Sequence, residues 1–187
     1  MYSTSSIKYK KEVTVIQPGD FYASGDDKII STLLGSCVAV CLYDTVNCIS
    51  GMNHFMLPGR INKSDILDDE SAKFGTIAIR NLLIHLYKIG ARKEHLIAKI
   101  FGGGHIIDNI IEKKGIPFDN IRLAKLYMEI EDIPIVDIDV GDIYTRKIFM
   151  DVRSGKVFLK KITKAEVINQ IAKRDLKFAS DRLINNG

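Results

Sequence analysis

The sequence predicts a single α/β domain in which short strands and amphipathic helices are mixed along the chain. Its 187 residues are 46% hydrophobic, which is enough for one sizeable core and does not require a second. Runs of β-prone residues between turn sequences indicate strands, and apolar residues at three-four spacing indicate helices. We expect one domain over residues 1–162 and a C-terminal helical extension over residues 163–187.

Turn sequences delimit the expected strands. A strand over 13–16 ends at Gln17-Pro18-Gly19-Asp20, and a short strand within 21–31 is interrupted at Gly25-Asp26-Asp27. Gly35 is expected to form a tight bend that delivers Cys37, because glycine adopts backbone conformations that other residues resist. Further strands are expected over 95–101, 133–139, 144–152 and 157–162, the last two forming a second hairpin.

Three-four spacing predicts helices over 71–89, 106–114, 120–131 and from 163 onward, with a polar surface loop over 59–70. His85 in the first helix is expected to be a core or boundary histidine. In the third, Leu123, Tyr127 and Ile130 should face inward. The last helix begins with a capping-box sequence at Thr163. The apolar stripe of this helix consists of Ile168, Ala172, Leu176, Ala179 and Leu183. It either packs on the rest of the domain or binds another protein.

Residues 31–58 bring a thiol and an imidazole together by strand geometry. The polar break over 44–47 separates two β-prone runs and predicts an antiparallel hairpin. If Tyr43 pairs with Cys48, Cys37 faces His54 directly, with Cβ atoms about 4.5 to 5.5 Å apart. Alternation assigns two sets of side chains to opposite faces. The expected core face has Val38, Val40, Leu42, Ile49 and Phe55, and the expected site face has Cys37, Ala39, Cys41, Ser50, Met52 and His54.

A cysteine beside a histidine favours nucleophilic chemistry. His54 can lower the pKa of the Cys37 thiol, and a hydroxyl on the far ring nitrogen would fix the imidazole's tautomer. Ser31 and Thr32 are the candidates for that hydroxyl because both lie close to Cys37 along the chain.

Backbone N–H groups around Gly35, Ser36 and Cys37 could hold an oxyanion, so the parts describe acyl transfer from an amide or ester. The alternative is that the three cysteines are only small buried side chains. A metal site is not expected, since Cys37 and Cys41 would be roughly 13 Å apart on a strand.

Composition argues against several classes of protein. Three cysteines, an odd number, fit a reducing compartment better than a disulfide framework. With no long apolar run and no signal peptide, we expect a soluble cytoplasmic protein without membrane insertion. The net charge of +4 is spread along the chain, so a nucleic-acid partner is not expected.

A glycine run, Gly102-Gly103-Gly104-His105, joins an expected strand to an expected helix. Such a loop could cradle a phosphate on its N–H groups, but neither of the usual nucleotide-binding spacings is present. Close backbone packing beside the site is the other explanation.

The segments TLLGSCVAVCLYD, GMNHFMLP and AKIFGGG together resemble the CheD family of chemoreceptor glutamine deamidases. The resemblance implies a single-domain layered α/β sandwich, with mixed or antiparallel sheet and packed helices. It implies a cysteine hydrolase that converts glutamines of methyl-accepting chemotaxis receptors to glutamate, releases ammonia, needs no cofactor and can also act on receptor methyl esters. It further implies a CheC-type phosphatase as a partner.

Carried over by position, Cys37 matches the family's nucleophile and His54 its general base. The matching hydroxyl falls on Ser31, with Thr32 one place later. His105 departs from the small residue usual after the two glycines, and could approach the site or point to solvent.

Two other functions remain open on the sequence. One is a chemotaxis binding module that acts mainly through a CheC-type phosphatase. The other is a different thiol enzyme, such as a small-amide hydrolase or a transglutaminase-like protein.

Overall fold

The computed structural model describes residues 1–6, 10–57, 66–68, 72–106 and 115–184. Ten strands and three α-helices are formed in these residues. The strands are β1 (Tyr2–Ser6), β2 (Lys11–Val15), β3 (Phe21–Ser24), β4 (Lys28–Leu34), β5 (Val38–Asp44), β6 (Ile49–Asn53), β7 (Leu96–Gly102), β8 (Ile135–Val140), β9 (Thr145–Asp151) and β10 (Val157–Ile162). The helices are α1 (Ala72–Lys88), α2 (Ile116–Ile130) and α3 (Ala165–Ile184).

The strands form two five-stranded sheets. The first sheet has the order β1-β2-β4-β9-β10, and the second has the order β3-β6-β5-β7-β8. Most neighbours are antiparallel, whereas β2 with β4 and β7 with β8 are parallel. This mixture of sheet and helix confirms the predicted fold class, a layered α/β sandwich.

Both faces of the second sheet are buried at its central strands β5 and β6, whereas the edge strand β8 is largely exposed. One face packs with α1 and α2 in a cluster that includes Val40, Leu42 and Leu82. The other face packs against the first sheet, in an inter-sheet cluster that includes Cys37, Met52 and Ile148. The alternation in β5 and β6 is therefore confirmed, and the expected site face lies between the two sheets, inside the protein.

The β5–β6 hairpin is confirmed, whereas its predicted register is wrong. Tyr43 pairs with Ser50, not with Cys48. The loop is shifted by one residue because the Asp44 carboxylate accepts hydrogen bonds from loop N–H groups at 46 and 47, and Cys48 takes a positive φ of 55°. Moving the loop by one residue changes the pairing by two, so every side chain keeps its face.

Two helices differ from their predicted faces. α2 begins at Ile116, four residues before the expected start, and Ile130 is 53% exposed rather than inward. In α3, Leu176 is 53% exposed while Ile171 and Asp175 are buried. The buried face of α3 is rotated from the predicted one because the polar residue Asp175 anchors it. The spacing of apolar residues does not indicate a polar anchor.

His85 in α1 is exposed and makes an edge contact with the Phe21 ring.

Some expected elements lie outside the described residues. They include most of the 59–70 loop and of the 106–114 helix. Within the described segments, no helix is long and apolar enough to cross a membrane.

Candidate active site

Cys37 lies at the end of a bend between β4 and β5, called here the Gly35 bend (residues 35–37). Position 35 requires glycine because there is no room for a side chain, not because of its φ angle. A Cβ there would meet the Ile106 side chain and would lie 2.7 Å from Asp175 Oδ2 and 2.8 Å from Ile171 Cγ2. Cys37 itself is 0% exposed.

His54 follows β6 directly and is held by backbone hydrogen bonds on both sides. Its carbonyl accepts from the Gly19 N–H at 2.7 Å, and its N–H donates to the Asp20 carbonyl at 3.0 Å. Val38 bridges to Phe55, so Cys37 and His54 are not directly opposed as the predicted register required. Both side chains nevertheless face the inter-sheet space, and both are 0% exposed.

The hydroxyl of Thr32 contacts His54, and that of Ser31 does not. Thr32 Oγ1 lies 2.7 Å from His54 Nδ1 and donates to the Ile16 carbonyl at 2.9 Å. Ser31, on the opposite face of β4, donates to the Ile148 carbonyl at 2.9 Å. Of the two candidate hydroxyls, the structure brings only Thr32 to the imidazole.

These two contacts determine the tautomer of His54. A hydroxyl has one proton, and that of Thr32 is donated to Ile16, so its oxygen accepts from His54 Nδ1–H. The neutral imidazole then has its lone pair on Nε2. Across the described part of the chain, Nε2 has no hydrogen-bond partner, so the thiol–imidazole hydrogen bond is not made in this conformation.

The glycine run supports the Gly35 bend. The N–H of Gly103 donates to the Cys37 carbonyl at 2.7 Å, and that of Gly104 to the Gly35 carbonyl at 2.8 Å. Gly102 has φ of 113° and lies against the Cys37 backbone, where a Cβ would overlap the Cys37 carbonyl oxygen. These N–H groups are therefore occupied by the protein, which favours close packing over a phosphate cradle.

His105 ends this run between Gly104 and Ile106, which both lie against Gly35. Its backbone N–H donates to the Asp142 carbonyl at 2.7 Å, and the residue is partly exposed.

Two residues that the sequence did not single out hold the Gly35 bend. Asn120 of α2 is buried, accepts from the Leu57 N–H at 2.9 Å and donates to the Ser36 carbonyl at 3.0 Å. Asp175 of α3 accepts hydrogen bonds through Oδ2 from the Ser36 N–H at 3.0 Å and from the Ser36 hydroxyl at 2.8 Å. Asn120 and Asp175 each interrupt the apolar face of a helix. A polar residue at such a position was the sequence feature that could have identified them.

The pKa shifts of Cys37 and His54 favour the uncharged form of each side chain in this conformation. Burial raises the pKa of the Cys37 thiol well above its ordinary value, and the Asp175 carboxylate raises it further, while Arg174 opposes this. Burial lowers the pKa of His54 well below its ordinary value, and the Arg174 charge lowers it further. Thiol and imidazole are therefore both neutral near pH 7.

Metal-ligating side chains do not cluster in the part of the chain that the structure describes. Over the described ranges, no group of three or more His, Cys, Asp or Glu side chains could hold a metal ion. Cys37 and His54 offer nucleophilic and acid–base chemistry through their side chains.

A family model described as CheD chemotactic sensory transduction matches residues 56–161. Proteins named "Probable chemoreceptor glutamine deamidase CheD" are similar over most of the chain. That of Methylobacillus flagellatus is 43% identical over 157 residues, covering 81% of this chain and 74% of the relative. That of Herminiimonas arsenicoxydans is 36% identical over 178 residues, covering 95% and 87%. That of Laribacter hongkongensis is 39% identical over 171 residues, covering 91% and 82%.

Among solved structures, the Bacillus licheniformis hypothetical protein YfiH matches with a TM-score of 0.45 at 12% identity. The match covers 66% of this chain and 51% of that one.

Proposed function

The chain belongs to the CheD family, and we propose that its deamidation of chemoreceptor glutamines proceeds through a thioester on Cys37. Membership rests on the family-model match and on relatives 36–43% identical over most of the chain. The enzyme acts on glutamine side chains of proteins, as the names of these relatives state. The observation that carries the proposed mechanism is the hydrogen bond between Thr32 and His54, because it leaves Nε2 free to act as a base.

The proposed first step is acylation. His54 Nε2 takes the proton of the Cys37 thiol, and the thiolate attacks the carbon of the glutamine carboxamide. The negative charge that develops on the amide oxygen is stabilised by hydrogen-bond donors of the Gly35 bend, among which we assign the N–H and hydroxyl of Ser36. The imidazolium then protonates the leaving nitrogen, so that ammonia departs and a thioester remains.

The second step regenerates the thiol. His54 Nε2 takes a proton from water, whose oxygen attacks the thioester carbonyl, and the Cys37 sulfur leaves and is reprotonated. The product is glutamate. A receptor methyl ester would react through the same thioester with methanol as the leaving group, which supports a proposed second activity as a methylesterase.

The roles of the other predicted residues follow their contacts. We assign to Thr32 the positioning of His54, and to Gly102, Gly103 and Gly104 the support of the bend. Ser31 and His105 receive no catalytic role in this proposal. The buried hydrogen bond that Ser31 makes to β9 supports a structural role instead.

The cellular compartment and the binding partner are proposed from the state of the cysteines and from the sequence resemblance. Cys37, Cys41 and Cys48 are all free thiols, which supports a reducing compartment such as the cytoplasm. We propose a CheC-type phosphatase as a binding partner because of the sequence resemblance. The burial of Cys37 and His54 favours a second candidate function, a chemotaxis binding module with little catalysis.

The test is intact-mass spectrometry of a receptor cytoplasmic fragment incubated with the wild-type protein and with the Cys37→Ala variant. A gain of about 1 Da per modified glutamine, seen with the wild type alone, is the expected result. Equal gains with Cys37→Ala would refute the thioester mechanism. No gain with several receptors, together with retained binding to a CheC-type protein, would favour the binding module.

A further inference from the structure

α3 packs against the Gly35 bend and covers the site. Ile171 and Ala172 are buried in a small cluster with Ile106, and Leu33 packs against that cluster. The next turn of α3 brings Asp175, 1% exposed, to the N–H and hydroxyl of Ser36. With α3 in place, Cys37 and His54 are each 0% exposed, so no protein side chain can reach the thiol.

The carboxylate of Asp175 stands where the reaction needs the substrate. Its Oδ2 accepts both hydrogen bonds of Ser36, one residue before the proposed nucleophile. A carboxylate oxygen and a carboxamide oxygen are both acceptors of the same geometry. Arg174 fixes the carboxylate through its other oxygen, at 2.7 Å from Nη2, and is itself tied to the Leu33 carbonyl at 3.1 Å.

From these contacts we infer that the surface beneath α3 is the docking surface for a substrate helix, and that α3 occupies it as an intramolecular competitor. Asp175 takes the place of the target glutamine side chain. This inference rests on the proposed function, since it identifies where the receptor substrate binds.

The packed face of α3 also indicates the kind of helix that the surface accepts. Relative to Asp175 at position i, apolar Ile171 lies at i−4, small Ala172 at i−3 and apolar Phe178 at i+3. These positions share one face of a helix. A substrate helix should therefore present its glutamine between apolar residues at i−4 and i+3.

The surface continues beyond α3 towards α1. Phe178 lines a cavity of about 220 Å³ together with Met56, Phe74 and Ile77. Ile77 is 45% exposed, which leaves apolar surface open next to the covered site. A receptor helix longer than the seated part of α3 could use this groove as it displaces α3.

The charges of α3 support the same assignment. Burial raises the pKa of the Cys37 thiol and the Asp175 carboxylate raises it further, with Arg174 opposing, whereas burial lowers the pKa of His54 and the Arg174 guanidinium lowers it further. Departure of α3 would remove both charges and admit water to the two groups. The competitor therefore blocks the site and also keeps the nucleophile in its unreactive form.

The test compares full-length Asp175→Ala and Ile171→Ser with the wild type. Gln170→Ala is the matched control, because it removes one polar side chain from an exposed position in the middle of the same helix and leaves its first turn intact. One readout is kcat/KM for deamidation of a receptor cytoplasmic fragment. The other is the rate of Cys37 alkylation by iodoacetamide, followed by peptide mapping, which does not require catalysis. Thermal unfolding checks that each variant is folded.

We expect both test variants to show at least about a tenfold increase in kcat/KM and in the rate of Cys37 alkylation, with Gln170→Ala unchanged. Tenfold corresponds to about 1.4 kcal/mol, which is no more than one hydrogen bond to a charged group contributes. The inference is overturned if folded Asp175→Ala and Ile171→Ser leave either rate at the wild-type value or lower kcat/KM.

The two proposals can fail separately. If the wild type deamidates the fragment in a Cys37-dependent reaction and the α3 variants are no faster, the competitor is refuted and the thioester mechanism stands. If none of the proteins deamidates any receptor fragment, the thioester mechanism fails, and with it the assignment of the surface as a substrate site.

Discussion

Replacing Thr32 by valine removes one hydroxyl and almost nothing else, and should slow the chemistry about tenfold. In the resting site, His54 Nδ1–H donates to a neutral oxygen at 2.7 Å. When Nε2 takes the thiol proton, the donor becomes a cation. A hydrogen bond from a charged group contributes about 1.5–3 kcal/mol, against about 0.5–1.5 kcal/mol for a neutral one. The difference, about 1–1.5 kcal/mol, is specific to the transition state and corresponds to about a tenfold lower kcat.

The assay is ammonia release from a receptor fragment, measured per folded protein well below the unfolding temperature. Thr32→Ser keeps the hydroxyl and should stay within a few-fold of the wild-type kcat. Ser31→Ala is the matched control, because it removes a neighbouring buried hydroxyl whose partner is Ile148. It should cost about 1 kcal/mol of stability and leave kcat unchanged. A full kcat for Thr32→Val, or an equal loss for Ser31→Ala, would refute this role of Thr32.

Three further predictions address the fold around the site. Gly102→Ala should lower the free energy of unfolding in urea by more than about 3 kcal/mol, because its Cβ would overlap a carbonyl oxygen. Gly141→Ala, also at positive φ but with open space around it, should lower it by about 1 kcal/mol. Similar losses for the two variants would contradict the steric argument. Burial raises the pKa of Asp44, but the hydrogen bonds that its carboxylate accepts outweigh this and lower the pKa to about 2. Its contribution to stability is therefore present above its ordinary pKa of 3.8 and lost as the pH falls towards 2. The free energies of unfolding of Asp44→Asn and the wild type should therefore converge as the pH falls from 3.8 towards 2. Ile148→Val in the inter-sheet cluster and Ile100→Val in the cluster with α1 and α2 should each lower the free energy of unfolding by about 0.5–1.5 kcal/mol. Only Ile148→Val should also lower kcat, because Ile148 pairs with Thr32 across the strands. Equal kcat values for the two variants would argue against coupling between packing and catalysis.

Strand alternation was sufficient to bring the proposed nucleophile and base to one face. Cys37 and His54 face the same space although the predicted register was wrong, because an error of two residues conserves the face. Register itself depended on Asp44, whose carboxylate closes the loop. Such side-chain capping of a four-residue loop is compatible with several sequences and lengths, so the turn could not be located to the residue.

The parts that the sequence did not predict are those made by long-range polar contacts. Asn120 and Asp175 reach Ser36 from helices 84 and 139 residues away along the chain. Buried polar side chains oppose the apolar periodicity on both helices, Asp119 and Asn120 on α2 and Asp175 on α3, and the prediction favoured the apolar stripe. For α3 this rotated the expected face, and so a helix predicted either to pack on the body or to bind a partner was not recognised as a cover for the site.

The placement of Ser31 and Thr32 connects the two-sheet architecture to the proposed mechanism. Adjacent residues of β4 point to opposite faces, so only one of them can enter the space between the sheets. Thr32 enters it from the first sheet, while His54 enters from the end of β6 in the second. The 2.7 Å contact that orients the imidazole is therefore also a contact between sheets. The distance between the sheets is set by the inter-sheet cluster, which means that the packing of this cluster and the tautomer of His54 are not independent properties. A substitution that shifts one sheet against the other should act on kcat through Thr32 even when Cys37 and His54 are untouched.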